Sequence, residues 1–386
     1  SSTTADLSAI TDEEIFLGHV GGKLSVELTA PLETQRDLSI AYTPGVAQVS
    51  RAIAQDASLA KQYTWTDRLV AVISDGSAVL GLGDIGPRAS LPGMEGKAAL
   101  FKKFAGLNSI PIVLETHDVD EIVETIVRLR HSFGAVNLED ISAPRCFEIE
   151  KRVIDALDCP VMHDDQHGTA IAVLAGVMNA LLVTGRKIED TRFVFAGAGA
   201  GGIASAKLLM EQGATNVTLV DSVGIISRDR TGLTAVKSAM LDTTNPDNLS
   251  GGIADAMRGA DVFIGLAAAD TVSAQMVTSM AKDPIVFAMA NPIPEIWPDV
   301  AKAAGAAVVG TGRSDFPNQV NNSLVFPGVF RGALDSHATR VTTRMKLAAA
   351  TALAALVAEP TPENVLPWSL DRNVAVTVAQ AVSGAV

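Results

Sequence analysis

The sequence predicts an α/β protein built from two domains, and three observations support this fold class. The chain has 386 residues, of which 48% are apolar, so it is long enough to form two sizeable cores. Short apolar runs alternate with helical segments from about residue 97 to residue 138, and a second alternation begins near residue 192. A glycine-rich turn separates the first strand of that second alternation from its helix. We therefore expect a first domain over residues 1–162, a second over 163–335, and a C-terminal helical segment over 336–386 that packs back on the body.

Apolar periodicity and turn signals predict the individual elements in chain order. A helix is predicted at Asp12–His19, capped by Thr11. A hairpin is predicted over residues 68–83, where two apolar runs flank the turn residues Ser74-Asp75-Gly76-Ser77. Further helices are predicted at about 97–105, 119–129, 170–184 and 203–212, and strands at 112–115, 135–138, 160–162, 193–196, 217–220, 262–265, 285–289 and 307–309. The alanine-rich tail after residue 340 is predicted to be helical, with a break at the prolines of residues 360–362.

Composition excludes several classes of protein. The 43 acidic and 30 basic residues give a formal net charge of −13, which argues against a nucleic acid or an anionic membrane as partner. Residues 1–16 lack the basic-then-apolar order of a signal peptide, and the longest weakly polar runs are too short to span a membrane. Cys146 and Cys159 form neither a disulfide framework nor a zinc spacing. We expect a cytoplasmic protein with two buried thiols.

Two pairs of acidic residues follow predicted buried strands. Asp164 and Asp165 come directly after one strand, and Glu139 and Asp140 come after another. In isolation such a pair is more often a helix cap or a solvated loop, but two pairs at strand ends predict a cation site. Glu139, Asp140 and Asp165 supply three oxygen ligands, which favours Mg²⁺ or Mn²⁺ over zinc.

A zinc site at His163 and His167, four residues apart, is the weaker alternative. Carboxylates crowd this segment, and no helix is expected at these residues.

Lys97 and Tyr42 are candidate proton-transfer groups. Lys97 is predicted at the start of a helix, where the helix dipole and a nearby metal would lower its pKa and let it act as a base. The alternative is an ordinary surface lysine. Tyr42 lies beside a Pro-Gly turn, as a core anchor or as an acid.

The pattern G-x-G-x-x-G occurs twice, and its context distinguishes the two copies. The copy at residues 81–86 is followed by prolines rather than by a predicted helix, so we do not expect it to bind a dinucleotide. The copy formed by Gly197, Gly199 and Gly202 follows a strand and opens a helix, and Asp221 ends the next strand. These features predict a Rossmann-like dinucleotide-binding domain in which Asp221 contacts the ribose hydroxyls.

Taken together, these segments resemble the malic enzyme family, in its compact bacterial form. The resemblance rests on the segments AYTPGVA (41–47), GLGDIG (81–86), GMEGK (93–97), NLEDI (137–141), HDDQHGT (163–169), FAGAGAGG (195–202), ANPIPE (290–295) and NQVNNSLVFPG (318–328). It implies oxidative decarboxylation of L-malate to pyruvate and CO2, with a homodimer as the assembly.

The resemblance also implies roles for the candidate residues. Lys97 would be the base, Tyr42 the acid, and Asp164 the partner of Lys97 rather than a metal ligand. Asn291 and Asn321 or Asn322 would contact the substrate, with Asn291 also on the nicotinamide side. The nucleotide would contact Gly197, Gly199, Ala200, Gly201, Gly202, Asp221 and Ser222.

The substrate and the cofactor each leave one question open. Larger malic enzymes carry an arginine shortly before the GLGD segment, but residues 75–80 contain none and Arg88 cannot be assumed to replace it, so the far carboxylate of malate has no assigned partner. Asp221 favours NAD because it repels a 2′-phosphate, whereas Ser222, Arg228, Arg230 and Lys237 follow closely and suit NADP; the expectation leans to NADP.

Three other functions are compatible with parts of the pattern. They are a malolactic-type enzyme that retains its nucleotide, a metal-independent amino-acid dehydrogenase of similar build, and a non-catalytic nucleotide sensor. The sensor would leave Lys97, Tyr42 and both acidic pairs without a task.

Overall fold

The computed structural model describes residues 10–386, so the first nine residues of the predicted N-terminal domain lie outside the described part of the chain. Helix α1 spans Asp12–His19 as predicted, because the Thr11 side chain caps it and Glu14 completes a capping box. Helices α2 (Gln35–Ala41) and α3 (Val46–Gln55) follow. None of these three helices contains a buried residue.

The first sheet contains four parallel strands in the order β2-β1-β3-β4. Its strands are β1 (Leu69–Ser74), β2 (Asn108–Val113), β3 (Ala135–Leu138) and β4 (Val161–His163). The helices α4 (Ala60–Tyr63), α5 (Pro87–Leu100), α6 (Val119–Arg128) and α7 (Arg145–Ala156) accompany it. In this register Leu138 lies opposite both Ile73 and His163, so the carboxyl ends of β1, β3 and β4 are level.

The predicted hairpin over residues 68–83 is wrong. The first apolar run is the central strand β1, which pairs in parallel with β2 and β3, and the second run contributes only an isolated bridge between Val79 and Gly83. The apparent turn residues serve a buried polar network instead. Asp75, which is 0% exposed, accepts hydrogen bonds from the Ser77 hydroxyl at 2.6 Å and from Arg145 Nη2 at 3.0 Å.

The prediction that no helix follows the first glycine pattern is also wrong. Helix α5 begins at Pro87, directly after Gly86, because a proline at the first helical position needs no N–H partner. Pro92 lies inside the helix and costs one backbone hydrogen bond without ending it. The helix predicted at about 97–105 is therefore the end of α5 plus one wider turn at Phe101–Ala105, and Lys97 lies in the last turn of α5.

The second sheet contains five parallel strands in the order β6-β5-β7-β8-β9. Its strands are β5 (Arg192–Ala196), β6 (Asn216–Val220), β7 (Val262–Gly265), β8 (Ile285–Ala288) and β9 (Val308–Thr311). The helices are α8 (Asp164–Thr184), α9 (Ala200–Glu211), α10 (Ala235–Met240), α11 (Ile253–Met257), α12 (Ala274–Thr278), α13 (Pro298–Ala303), α14 (Phe326–Asp335), α15 (Thr343–Ala355) and α16 (Asn373–Ser383). The strand order reverses between β5 and β7, which is where α/β sheets of this kind bind ligands.

Helix α8 joins the two sheets and forms the centre of the largest apolar cluster. It contacts α9 and α15, while α16 contacts α14 and the turn at Phe101–Ala105. By length and composition α8 is the one described helix that could cross a membrane, but 67% of its apolar stretch is buried inside the protein, as in a core helix. It begins at Asp164, so the expectation of no helix around His163 and His167 is wrong.

Candidate active site

Three carboxylates converge where β3 and β4 end. Glu139 and Asp140 follow β3, and Asp165 lies in the first turn of α8, which starts directly after β4. One oxygen from each of the three lies within 4.8 Å of the others. Asp165 Oδ2 also accepts a hydrogen bond of 2.7 Å from the backbone N–H of Asp140, which fixes the two acidic segments against each other.

Lys97 reaches this cluster from α5. Its Nζ lies 2.5 Å from Asp164 Oδ2 and 3.0 Å from Glu139 Oε2, and its side chain is only 10% exposed. The ammonium also lies 4.0 Å from the ring centroid of Phe326, a cation–π contact that the sequence analysis missed. Asn322 Nδ2 donates to the same Asp164 oxygen at 2.5 Å. Asp164 therefore pairs with Lys97, while Asp165 faces the other two acids.

The predicted lowering of the Lys97 pKa is wrong for the protein alone. Burial works in the predicted direction, but the charges of Asp164 and Glu139 outweigh it and raise the pKa of Lys97. The predicted dipole effect also does not apply, because Lys97 lies in the last turn of α5 and only the N-terminal end of a helix opposes a cation.

The carboxylate cluster fits a divalent cation. Burial and repulsion by Asp165 raise the pKa of Glu139 well above its ordinary value and raise that of Asp140 to about 8. The protein's own cations thus leave part of this negative charge uncompensated, and three oxygen donors on converging strand ends suit Mg²⁺ or Mn²⁺. Among residues 10–386, these acids are the only group of three or more acids, histidines or cysteines that lie closely enough together to hold a metal ion.

Each of the two histidines next to this cluster contacts a carboxylate of the protein. His163 is fully buried, and its Nε2 lies 3.1 Å from Asp165 Oδ2. His167 Nε2 lies 2.8 Å from Glu150 Oε1. The two side chains therefore contact different carboxylates, which is inconsistent with a shared zinc ion.

Position 168, three residues after the acidic pair, must be a glycine because the Asp164 carboxylate occupies the space of a side chain there. A Cβ at this position would lie 1.9 Å from Asp164 Oδ1 and 3.3 Å from the Cβ of Asn322. The Asp164 carboxylate folds back over its own helix at this point, and only a glycine leaves room for it.

A cavity of about 870 Å³ opens on the cluster and extends between the two sheets. Its wall includes Lys97, the three acids of the cluster, Asn291, Asn321 and Asn322. Lys23 is the second cation on this wall, and its ammonium donates to the Pro92 carbonyl oxygen at 2.9 Å. Arg88 lines a different cavity.

The loop that carries Asn291 is held by Glu295, a buried residue absent from the predicted site, which accepts the Ala290 N–H at 2.7 Å.

The second glycine pattern forms a tight turn at the point where the strand order of the second sheet reverses. Gly197 has φ +116°, and a Cβ there would lie 2.7 Å from the Leu266 carbonyl oxygen. A Cβ on Gly202 would lie 1.8 Å from the Gly197 carbonyl oxygen, so the turn and α9 can close only with glycine at both positions. Helix α9 begins at Ala200 with Gly199 as its N-cap. Gly201 lies against the Asp165 backbone, which brings the nucleotide turn next to the carboxylate cluster.

A cavity of about 710 Å³ lies beside this turn and is lined by Gly197, Gly199, Asp221, Ser222 and Lys237 among others. Asp221 pairs with Arg230 through two hydrogen bonds of 2.7 and 3.0 Å and with Lys237 through one of 2.8 Å. Burial alone would raise the pKa of Asp221, but these partners lower it below its ordinary value. Arg228 instead donates to backbone carbonyl groups such as that of Asn245, at 2.8 Å.

Of the predicted catalytic residues, Lys97 lines the cavity that opens on the carboxylate cluster and the buried Asp164 contacts Lys97, whereas Tyr42 is not on the wall of this cavity. It caps the end of α2, and it is 67% exposed. Its predicted role as an acid stays a prediction.

Family models match nearly the whole chain: "Malic enzyme, N-terminal domain" matches residues 21–154, and "Malic enzyme, NAD binding domain" matches residues 166–386. The chain belongs to the malic enzyme family. It is 51% identical over 372 residues to a NAD-dependent malic enzyme of Geobacillus stearothermophilus, covering 96% of this chain and 78% of that protein. It is 50% identical over 381 residues to a bifunctional malic/malolactic enzyme of Bacillus subtilis, covering 98% and 93%.

A solved structure of a NAD-dependent malic enzyme from Thermotoga maritima is 43% identical, with a TM-score of 0.94 over 98% of this chain and 100% of that chain. Relatives of about half identity include both NAD-dependent and NADP-dependent malic enzymes. The predicted α/β fold with a Rossmann-like domain is confirmed, and family membership favours malic enzyme chemistry over the amino-acid dehydrogenase alternative.

Replacing Gly168 with alanine tests the packing of Asp164. The added methyl group must displace the Asp164 carboxylate from Lys97, so we expect kcat to fall by about 10- to 100-fold while the fold is retained. Gly384→Ala is the matched control, because a Cβ there meets its nearest atom at an ordinary 3.5 Å. Steady-state kinetics and thermal unfolding would measure both effects, and an unchanged kcat in Gly168→Ala contradicts the assignment.

Proposed function

We propose that this chain converts L-malate to pyruvate and CO2 and transfers a hydride to NAD(P)⁺, with Lys97 as the base. The contact of Lys97 with both Asp164 and Glu139 carries this proposal. It places a proton acceptor beside a cation site in one cavity, and the glycine turn after β5 packs against the backbone of that cation site at Asp165. Oxidation at C2 and decarboxylation at the neighbouring C3 need these two functions on adjacent atoms.

The chain's own residues then have separate tasks. Lys97 accepts the proton of the C2 hydroxyl while hydride leaves C2 for the nicotinamide. Asp164 and Asn322 hold Lys97 in place, and Asn291 and Asn321 orient the substrate from the opposite wall. Loss of CO2 from the β-keto acid leaves enolpyruvate, which a proton from Tyr42 at C3 converts to pyruvate.

Glu139, Asp140 and Asp165 hold the cation in this proposal, which is Mg²⁺ or Mn²⁺. When bound, it supplies polarisation of the substrate oxygens and cancels carboxylate charge that otherwise stabilises the Lys97 ammonium.

The working assembly we propose is a homodimer in which Tyr42 acts in the site of the second subunit. Helices α1 to α3 contain no buried residue. This segment exposes large apolar side chains, among them Phe16 at 76% and Ile40 at 64%. Apolar surface of this extent is typical of an interface. Tyr42 lies in the same exposed segment, so a second copy that covers the segment would also bury the tyrosine.

For the nucleotide, we propose a preference for NADP. Asp221 would repel a 2′-phosphate, but Arg230 and Lys237 compensate its charge, and Lys237 lines the same cavity as Asp221. Lys237 would contact the phosphate, whereas NAD would rely on Asp221 itself.

We place the enzyme in the cytoplasm, with malate and pyruvate as its small-molecule partners and no nucleic acid. Malolactic activity is a second candidate, because one relative of 50% identity is a bifunctional malic/malolactic enzyme. Lactate release without net NAD(P)H formation would identify that reaction.

The basic experiment is an assay of NAD(P)H formation from malate with and without Mn²⁺, on the wild type and on Asp165→Ala. We expect Asp165→Ala to lose more than about 100-fold in kcat and most of its Mn²⁺ affinity, since a ligand is removed. Nucleotide affinity should stay nearly unchanged. The control Asp299→Ala removes an exposed acid. A wild-type rate that survives EDTA, or an Asp165→Ala enzyme with normal turnover, would refute the metal assignment.

The nucleotide preference is tested by Lys237→Met. Loss of one charged contact to the 2′-phosphate should lower kcat/KM for NADP by about 10- to 100-fold and change the value for NAD by less than about 3-fold. Lys282→Met, at an exposed position away from this cavity, is the control. Equal losses with both nucleotides would show that Lys237 acts on the loop and not on the phosphate.

Mixing two inactive variants tests whether Tyr42 acts across subunits. A Lys97→Met chain and a Tyr42→Phe chain, unfolded and refolded together, should form heterodimers with one complete site. Activity should then recover well above that of either variant refolded alone. If Tyr42 acts within its own chain, every site stays defective and no activity returns. Light scattering on the same samples measures the oligomeric state.

A further inference from the structure

A second, smaller cavity lies on the opposite side of α8 from the substrate cavity. It has a volume of about 310 Å³, and helices α7, α8, α9 and α15 line it. Its polar wall includes Glu150, Gln166, His167, Lys207, Glu211 and Lys346. Lys207 and Thr343 are exposed at its rim, so a small molecule can enter from solvent. None of the roles proposed above uses this cavity.

The inner wall offers hydrogen-bond donors that have no acceptor. Gln166 is 4% exposed, and its Nε2 has no hydrogen-bond partner among the described residues. Lys346 Nζ has one partner, His167 Nδ1 at 3.1 Å, and makes no ion pair with a described carboxylate. An ammonium has no acceptor capacity, so His167 accepts through Nδ1 and donates through Nε2. Two of the three Lys346 N–H groups remain free.

The acids near this wall do not use these donors. Glu150 is engaged on both oxygens: Oε1 accepts from His167 Nε2 at 2.8 Å and Oε2 accepts from the His163 backbone N–H at 2.6 Å. Glu211 lines the cavity from an exposed position at the end of α9 and pairs with none of the described cations. Burial lowers the pKa of Lys346, although the charge of Glu150 acts in the opposite direction. The free N–H groups of Gln166 and Lys346 therefore match a ligand that carries several hydrogen-bond acceptors.

We propose that this cavity binds a small oxyanion, a carboxylate or a phosphate, between Lys346, Gln166 and the rim residue Lys207. A cavity of this size suits a small metabolite, and its unfilled donors match the oxygens of such an anion. The anion would contact Lys346, which hydrogen-bonds His167. His167 in turn hydrogen-bonds Glu150, and Glu150 accepts the backbone N–H of His163. These contacts end at the residue that precedes Asp164 and Asp165, so this is a ligand site directly behind the acidic pair.

Calorimetric titration of the nucleotide-saturated enzyme without malate tests the site. Inorganic phosphate and acetate are used in separate arms, because neither is a four-carbon dicarboxylate like the proposed substrate, and the arm with the tighter saturable binding identifies the kind of oxyanion. Lys346→Met should weaken that binding by about 10- to 100-fold, because a charge-assisted contact is lost. Arg344→Met is the matched control, since it removes an exposed cation from the same helix without touching the cavity, and it should bind like the wild type.

The result that overturns the proposal is equal binding by the wild type and Lys346→Met, or no saturable binding in either arm. Lys207→Met provides a second variant at an exposed position, where folding is not at risk, and a smaller weakening of about 2- to 5-fold is expected there. Unchanged binding in Lys207→Met would also count against the site. The titration contains no malate turnover, so its outcome is independent of the proposed reaction.

Discussion

The buried ion pairs of Lys97 with Asp164 and Glu139 are the constraint on which the rest of the site depends. A lysine and four neighbouring carboxylates lie together in the interior, where an unpaired charge is costly. The fold pairs these charges because the ends of β3 and β4 meet the last turn of α5 at one point. Asn322, from the segment before α14, adds a hydrogen bond to Asp164. Removing one partner leaves the others uncompensated, so these charges stabilise the site only as a group.

Helix α8 connects this charge cluster to the core. Its first turn carries Asp164 and Asp165, and its remaining length is apolar and largely buried in the main core. The glycine turn after β5 packs on the start of α8, since Gly201 lies against the Asp165 backbone. A nucleotide at that turn and a cation at Asp165 therefore share one rigid element, and their separation is fixed by close packing rather than by a mobile loop.

Much of this arrangement could be predicted from the sequence, because local signals and tertiary structure agree there. The Thr11 cap, strand Ala135–Leu138 and the strand that leads into Gly197 are examples. The failures share a cause. The Ser74–Ser77 segment has the chemistry of a turn, yet Asp75 is held inside by Arg145, a partner 70 residues away. The sequence predicts Lys97 at the wrong end of its helix, because α5 begins earlier, at Pro87, and continues through Pro92. The pKa of Lys97 depends on acids that only the fold brings near.

The geometry of α8 gives the two adjacent acids different partners. Successive residues of a helix point about 100° apart, so Asp164 and Asp165 cannot face the same group. Asp164 turns towards Lys97 and is kept there by the absence of a side chain at Gly168, while Asp165 turns towards Glu139 and Asp140. Glu139 closes the arrangement because it belongs to the carboxylate cluster and also contacts Lys97 at 3.0 Å. A charge placed on the cluster therefore acts on Lys97 through a shared carboxylate, so a cation bound by these acids would change the electrostatic environment of Lys97.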